Sequence, residues 1–235
     1  MTHAHLSLSG KRLTTPRAAA FAGILFAILF TVSVTLIRIS LPPGPVDGTL
    51  WQEKHASLLN VGLILMPFAG ISFLWFVGVV RDRLGIYEDQ FFSTIFYGSA
   101  LLFLAMVFSA TAVTGGIASG YAANPELRAA GEIYSFGRAL VGQFFTIYAL
   151  RMAGVFVFSL GTIWLRTGVM PRWLSLITFV FALVLILSAS LNLWMVLVFP
   201  AWVFIISCYI LFLNLRTKQI GMADGITASQ PDQIA

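Results

Sequence analysis

Charge is what this 235-residue sequence has least of: 10% of its residues are Asp, Glu, Lys or Arg, and 59% are hydrophobic. Ordinary soluble domains carry roughly 25% charged residues. The 14 basic and 9 acidic side chains cannot cover a soluble fold of this length, so lipid is the expected solvent for most of its surface. A lone cysteine, Cys208, excludes an intrachain disulfide and a CxxC redox site, and reads as a small buried hydrophobe. Of the 3 histidines, only His55 lies outside the N-terminal tail, and none lies within a spanning run. Bis-histidine haem, a histidine-rich metal centre and HExxH chemistry are therefore unsupported. There is no GxSxG elbow or Ser-His-Asp set, and Gly115-Gly116 with Gly120 does not follow a strand as a nucleotide loop would. No cofactor or metal is expected. An enzyme is the least supported class, because no paired acid, base or nucleophile can be named.

What the sequence does have is long apolar runs. They cover about Ala18 to Ile37, Ser57 to Val80, Phe91 to Val113, Val141 to Leu165, Trp173 to Ser188, and Trp194 to Leu213. None alternates apolar and polar residues as a lipid-facing barrel strand would, so each reads as a helix. The first run is too long for a signal peptide and is read as a retained helix. The expected fold is all-α: a bundle of six spanning helices over residues 18–216. A polar tail of residues 1–17 precedes it, and a disordered tail, 217–235, follows. The fifth and sixth runs meet at Ser188-Ala189-Ser190-Leu191-Asn192, read as a tight hairpin because one helix through both would reach about 60 Å.

Basic residues set the expected orientation. With the N-terminus inside, nine (Lys11, Arg12, Arg17, Arg81, Arg83, Arg166, Arg172, Arg216 and Lys218) lie on the cytoplasmic side. Five (Arg38, Lys54, Arg128, Arg138 and Arg151) lie elsewhere. That asymmetry predicts both ends in the cytoplasm, and it explains the net charge of +5 without nucleic acid as a partner. Two longer connections fall on the opposite side, Leu41 to Ala56 and Gly115 to Arg138. Within the second, Asn124-Pro125-Glu126 is a helix start, with a bend expected near Gly131 or Gly137.

Arg151 stands out among the polar residues. It lies 15 positions before Arg166, hence about 22 Å along the helix and inside the outer part of the hydrocarbon. Intramembrane cations usually face the bundle interior and mark a site, or else satisfy nearby carbonyls and hydroxyls. No acidic residue lies within an apolar run. By depth, Glu53, Asn60 and Arg138 are its candidate companions in a ligand site at the outer mouth. Glu53-Lys54-His55 otherwise reads as a solvated helix start. Pro67 and Pro200 fall near mid-depth, where they can kink helices. Small residues recur every four positions at Ala19-Gly23-Ala27-Thr31, Gly116-Gly120 and Ala149-Ala153, the spacing of packing faces. Trp51, Trp164, Trp173 and Trp194 sit where an interfacial aromatic belt is expected.

The hinge Gly161-Thr162-Ile163-Trp164-Leu165-Arg166-Thr167-Gly168-Val169-Met170-Pro171-Arg172-Trp173-Leu174 resembles that of small, uncharacterised bacterial six-helix membrane proteins. The likeness covers mainly helices four to six. It implies a bacterial inner (plasma) membrane location and carries no activity. The hinge has its own physics: Gly168 can end one helix and Pro171 can start the next. The expected function is that of a non-catalytic accessory, assembly or lipid- or ligand-binding membrane protein. Its partners would be membrane lipids, a partner subunit or a second copy. The alternative is a small transporter or channel with its site near Arg151 on the extracytoplasmic side.

Overall fold

Backbone polar groups in lipid have no water to bond, so a spanning segment must satisfy them internally, and helices do. The computed structural model describes residues 15–41, 48–84, 90–123, 132–168, 170–188 and 193–228. Side chains are described for 17–41, 55–81, 91–120, 123, 132–168, 170–188 and 194–213. Among the described residues there is no strand. The helices are α1 (Thr15–Ser40), α2 (Gly48–Leu84), α3 (Gln90–Ala123), α4 (Glu132–Thr167), α5 (Arg172–Leu187) and α6 (Val198–Ala228). A 3-10 turn, Leu193–Leu197, leads into α6. Five of these helices are long and apolar enough to cross a membrane. The other, α5, has 16 residues, about 24 Å against a hydrocarbon core of about 30 Å.

Hydroxyls inside the helices mostly turn back on their own backbone. Ser72 donates to the Phe68 carbonyl, Thr114 to Ala110, Ser159 to Val155 and Thr167 to Ile163, which hides each polar group from lipid.

Neighbouring helices run antiparallel. Phe26 and Ser33 of α1 meet Phe73 and Gly62 of α2, and Arg81 and Gly70 of α2 meet Tyr97 and Phe108 of α3. Ile117 of α3 packs on Gly137 of α4, and Gly154 and Gly161 of α4 pack on Ile186 and Thr178 of α5. Gly23 and Arg38 of α1 meet Ser207 of α6 and Trp194 of the 3-10 turn that precedes it. One face of the bundle therefore carries Arg17, Arg81 and Arg166, and the opposite face carries Arg38.

Phenylalanine fills the middle. Phe26, Phe73, Phe103, Phe156 and Phe199, from five helices, are each 0–1% exposed. Their ring centroids lie 4.7 Å (Phe26–Phe73), 5.3 Å (Phe73–Phe103), 5.4 Å (Phe73–Phe156) and 4.9 Å (Phe103–Phe199) apart. These tilted and edge-on pairs are the arrangements that ring quadrupoles favour. Phe26 is nine residues from Arg17, Phe73 eight from Arg81 and Phe156 ten from Arg166. Each ring therefore sits about 12–15 Å from its arginine, half the thickness of a bilayer core.

Several boundaries differ from the sequence expectation. Helix α3 does not dissolve at Gly115-Gly116; it runs through Gly120 to Ala123, and α4 is already helical at Glu132. The expected 23-residue connection is thus mostly two helices packed at Ile117 and Gly137. Gly137 makes no bend there; it admits the Ile117 side chain. Asn124, Pro125, Glu126 and Gly131 lie outside the described residues. Helix α2 begins at Gly48, inside the expected first loop, and α6 continues past Thr217 to Ala228, where a disordered tail was expected. Pro200 follows Phe199 of the aromatic layer, hence at mid-depth as expected, and lies where the 3-10 turn Leu193–Leu197 passes into α6. Trp164 lies two residues from Arg166 but faces the bundle rather than lipid: it is 4% exposed and its ring stacks on Trp202 at 6.1 Å. The hinge forms as its residues dictate. Gly168 closes α4 at φ 65°, its N–H donating to the Trp164 carbonyl, and Pro171 caps α5. The stretch 189–192, read as a hairpin, lies outside the described residues; α5 ends at Leu187 on one side of it.

Candidate functional site: Arg151, a π turn and an apolar groove

Arg151 lies in α4, five residues from Phe156, so about 7 Å from the aromatic layer toward the Arg38 end. Its side chain is half-buried. The turn just before it, Phe144–Ala149, is π-helical. A π turn dislocates the regular i to i−4 ladder and leaves carbonyls short of a partner. Two carbonyls here accept side-chain bonds: Gly142, just before the turn, from Thr146 Oγ1 at 2.8 Å, and Ile147, within it, from Arg151 Nη1 at 3.0 Å. Helical side chains lean toward the N-terminus, which carries the guanidinium from mid-membrane toward the Arg38 end.

The short helix α5 completes this environment. A Cβ on Gly154 would lie 2.7 Å from Ile186 Cγ1 and 3.1 Å from the Ala182 carbonyl oxygen, so the two backbones touch. Arg151 is one turn beyond Gly154, at the level where α5 finishes. The interaction of Arg151 in the structure is thus with a backbone carbonyl of its own helix.

The other residues singled out from depth lie farther along the bundle. Asn60 is exposed on α2, 13 residues from Phe73, about 20 Å from the aromatic layer. Arg138 is half-buried on α4, 18 residues from Phe156, about 27 Å from that layer. Glu53 falls within α2, and its side chain is not among those described. The three described side chains are thus spread over about 20 Å of bundle axis rather than held at one depth.

Asn60 instead belongs to a different feature. Between α2 and α3, Leu63, Pro67, Phe108, Thr111, Ala112 and Gly115 line a laterally open groove of about 370 Å³. Pro67 has no N–H for the Leu63 carbonyl, which loosens α2 at this point. The Phe108 ring lies directly over Gly70 and closes the inner end of the groove. Thr111 bonds the Val107 carbonyl at 2.8 Å, which ties up its hydroxyl within α3. Asn60, Leu63 and Pro67 follow at i, i+3 and i+7, so the Asn60 amide stands on the same helical face at the groove's outer mouth.

Pairs of arginine and aromatic rings mark both ends of the bundle. Arg38 lies over Trp194 at 4.4 Å, Arg81 over Tyr97 at 5.2 Å and Arg166 over Phe92 at 4.6 Å. Among the described residues, no three His, Cys, Asp or Glu side chains come together as metal ligands would. Cys208 is a free, half-buried thiol.

Two of these features had little sequence signal. The spacing of Phe26 with Phe30, and of Phe96 with Phe103, puts rings on one helical face, but which faces converge is a tertiary fact. The π turn has no sequence mark beyond Thr146 within it and Arg151 just after it. No family model, curated protein or solved structure matches the chain.

Proposed function

We propose that this chain is a non-catalytic multi-pass protein of a bacterial inner membrane, acting as an accessory or lipid-binding bundle with both ends in the cytoplasm. The observation that carries this is the phenylalanine layer. Interlocked rings from five helices fill the centre at the depth where a transport route would have to pass. The aromatic layer is a packed plug, and on its Arg38 side the Arg151 guanidinium and the Thr146 hydroxyl bond carbonyls of their own helix. Arg17, Arg81 and Arg166 on one face agree with that face being cytoplasmic.

One observation favours a second reading, a small transporter or channel. An intramembrane cation stands beside a π turn, and both features recur at functional sites. On that reading Arg151 would contact an anionic substrate, and Arg151→Leu would abolish its binding.

Cysteine accessibility separates the two. In a Cys208→Ala background, Ala69→Cys and Ala153→Cys place small thiols at fully buried positions near the layer and near Arg151. The bundle reading expects neither to react with a membrane-impermeant maleimide in intact vesicles, and both to react after denaturation. Rapid labelling of Ala153→Cys from either aqueous side would replace that reading with the transporter. A periplasmic-activity reporter fused after Ala235 should be inactive if the C-terminus is cytoplasmic.

A further inference from the structure

The geometry points to the α2–α3 groove as a seat for one acyl chain of a diacyl phospholipid, with the lipid's ester region at Asn60. This names the ligand class for the lipid-binding arm of the proposed function and rests on it. Four properties of the groove carry the inference.

The first is depth. Pro67 and Leu63 lie six and ten residues from Phe73, and Phe108 and Gly115 lie five and twelve from Phe103. The groove therefore occupies about 7–18 Å from the aromatic layer, the upper part of one leaflet's hydrocarbon. Asn60, at about 20 Å, falls at the level of headgroups and ester carbonyls.

The second is shape. The groove is laterally open along about 10 Å from Phe108 to Gly115, so an extended hydrocarbon chain can lie along it.

The third is chemistry. Leu63, Pro67, Phe108, Ala112 and Gly115 present carbon, and the Thr111 hydroxyl is already bonded within its own helix. The one free-standing polar side chain on the groove's face is the neutral Asn60 amide, whose N–H₂ can donate to an ester or phosphate oxygen. No charge inside the groove would repel a methylene chain.

The fourth is the cost of leaving it empty. In a bilayer an unfilled apolar slot forfeits dispersion contacts on every wall, and tight van der Waals packing is what holds membrane helices together. Packing between α2 and α3 does not close the slot: the Phe108 ring sits on Gly70 at its inner end, and a Cβ on Gly115 would meet only Leu63 Cδ1, at 3.7 Å. A chain lying between them supplies the missing contacts, and is held on two sides rather than one, unlike lipid on the open belt.

Retention tests this. The full chain, reconstituted in vesicles of phosphatidylethanolamine and phosphatidylglycerol, is extracted into mild detergent and washed. A photo-crosslinking residue is placed at Leu63 in the groove, or at Val180 on the exposed belt of α5. Phospholipid crosslinked at Leu63 and not at Val180, and cut about tenfold by Ala112→Trp, is the expected result. Asn60→Leu should weaken retention less, since it removes the polar contact and leaves the slot. Equal crosslinking at both positions, no lipid at Leu63, or a crosslink there to protein would each overturn the inference. If Ala112→Trp fails to fold, the Leu63–Val180 comparison decides alone. Failure here leaves the accessory reading standing, because that depends on thiols at Ala69 and Ala153 staying unreactive.

Discussion

Helix α2 has two neighbours and meets them in opposite ways. Toward α1 it is closed. A Cβ on Gly62 would come 3.1 Å from the Ser33 carbonyl oxygen, and Ser33 Oγ donates to the Gly62 carbonyl at 2.6 Å. Toward α3 it is open. Over the same depth the 370 Å³ groove lies between the two helices, with the Phe108 ring on Gly70 at its inner end. Both interfaces share the aromatic layer below, where Phe73 touches Phe26 on one side and Phe103 on the other. On the α1 side glycine and serine let backbones meet and exchange a hydrogen bond, whereas on the α3 side Gly70 receives a phenylalanine ring and Gly115 faces only Leu63 Cδ1 at 3.7 Å. In lipid no hydrophobic force closes such a gap, so side-chain packing decides which interface is closed.

The strongest way to break this comparison is to remove what the two interfaces share. Phe73→Ala deletes the ring that contacts α1, α3, α4 and α6 together, and should cost about 3–5 kcal/mol. Thermal unfolding in detergent, followed by loss of the monodisperse species, would read it. A cost below about 1 kcal/mol would mean that the layer is not a common support. A sharper contrast uses one substitution on each side. Gly62→Leu drives a side chain into the α1 backbone and should cost about 1–3 kcal/mol. Gly115→Leu enters a space whose nearest occupant is Leu63 Cδ1 at 3.7 Å, and should be close to neutral for stability while filling the groove. Equal destabilisation by the two would erase the distinction.

How much of this was legible beforehand divides along the same line. Runs of apolar residues located the helices well: Ala18 to Ile37 became a span of Arg17–Ser40, and Gly168 and Pro171 formed the expected hinge. The stripe Ala19, Gly23 and Ala27 is buried, with Gly23 against Ser207. The similar pair Gly116 and Gly120 meets nothing within 4 Å, so spacing alone did not say which stripe packs. Helix α3 was cut short in the sequence reading because glycine weakens helices in water. Next to lipid the backbone has no other partner, and the helix continues. Arg151 reads from the sequence as an intramembrane cation, but its bond goes to a carbonyl within a π turn, which sequence does not mark. Depth grouped Asn60 with Arg151, yet depth along one helix fixes neither the face nor the level of a residue on another. Once α2 and α3 are placed, Asn60 stands at the groove instead.

The smallest expected effect probes the closed interface most selectively. Ser33→Ala removes a single hydroxyl that is 0% exposed and bridges α1 to the Gly62 carbonyl. In water-soluble cores a buried hydrogen bond contributes about 1 kcal/mol, but interhelical bonds in membrane proteins average about 0.6 kcal/mol, because the separated helices also find partners. The Gly62 carbonyl keeps its own place in the α2 ladder, so losing the serine does not orphan it, and the lower figure is the expected one. If close approach at Gly62 is what holds α1 to α2, Ser33→Ala will leave lipid retention in the groove unchanged and shift unfolding only slightly. A loss as large as that of Gly62→Leu would mean that the hydrogen bond, not the glycine, sets the spacing. The contrast between the two faces of α2 would then be polar in origin rather than steric.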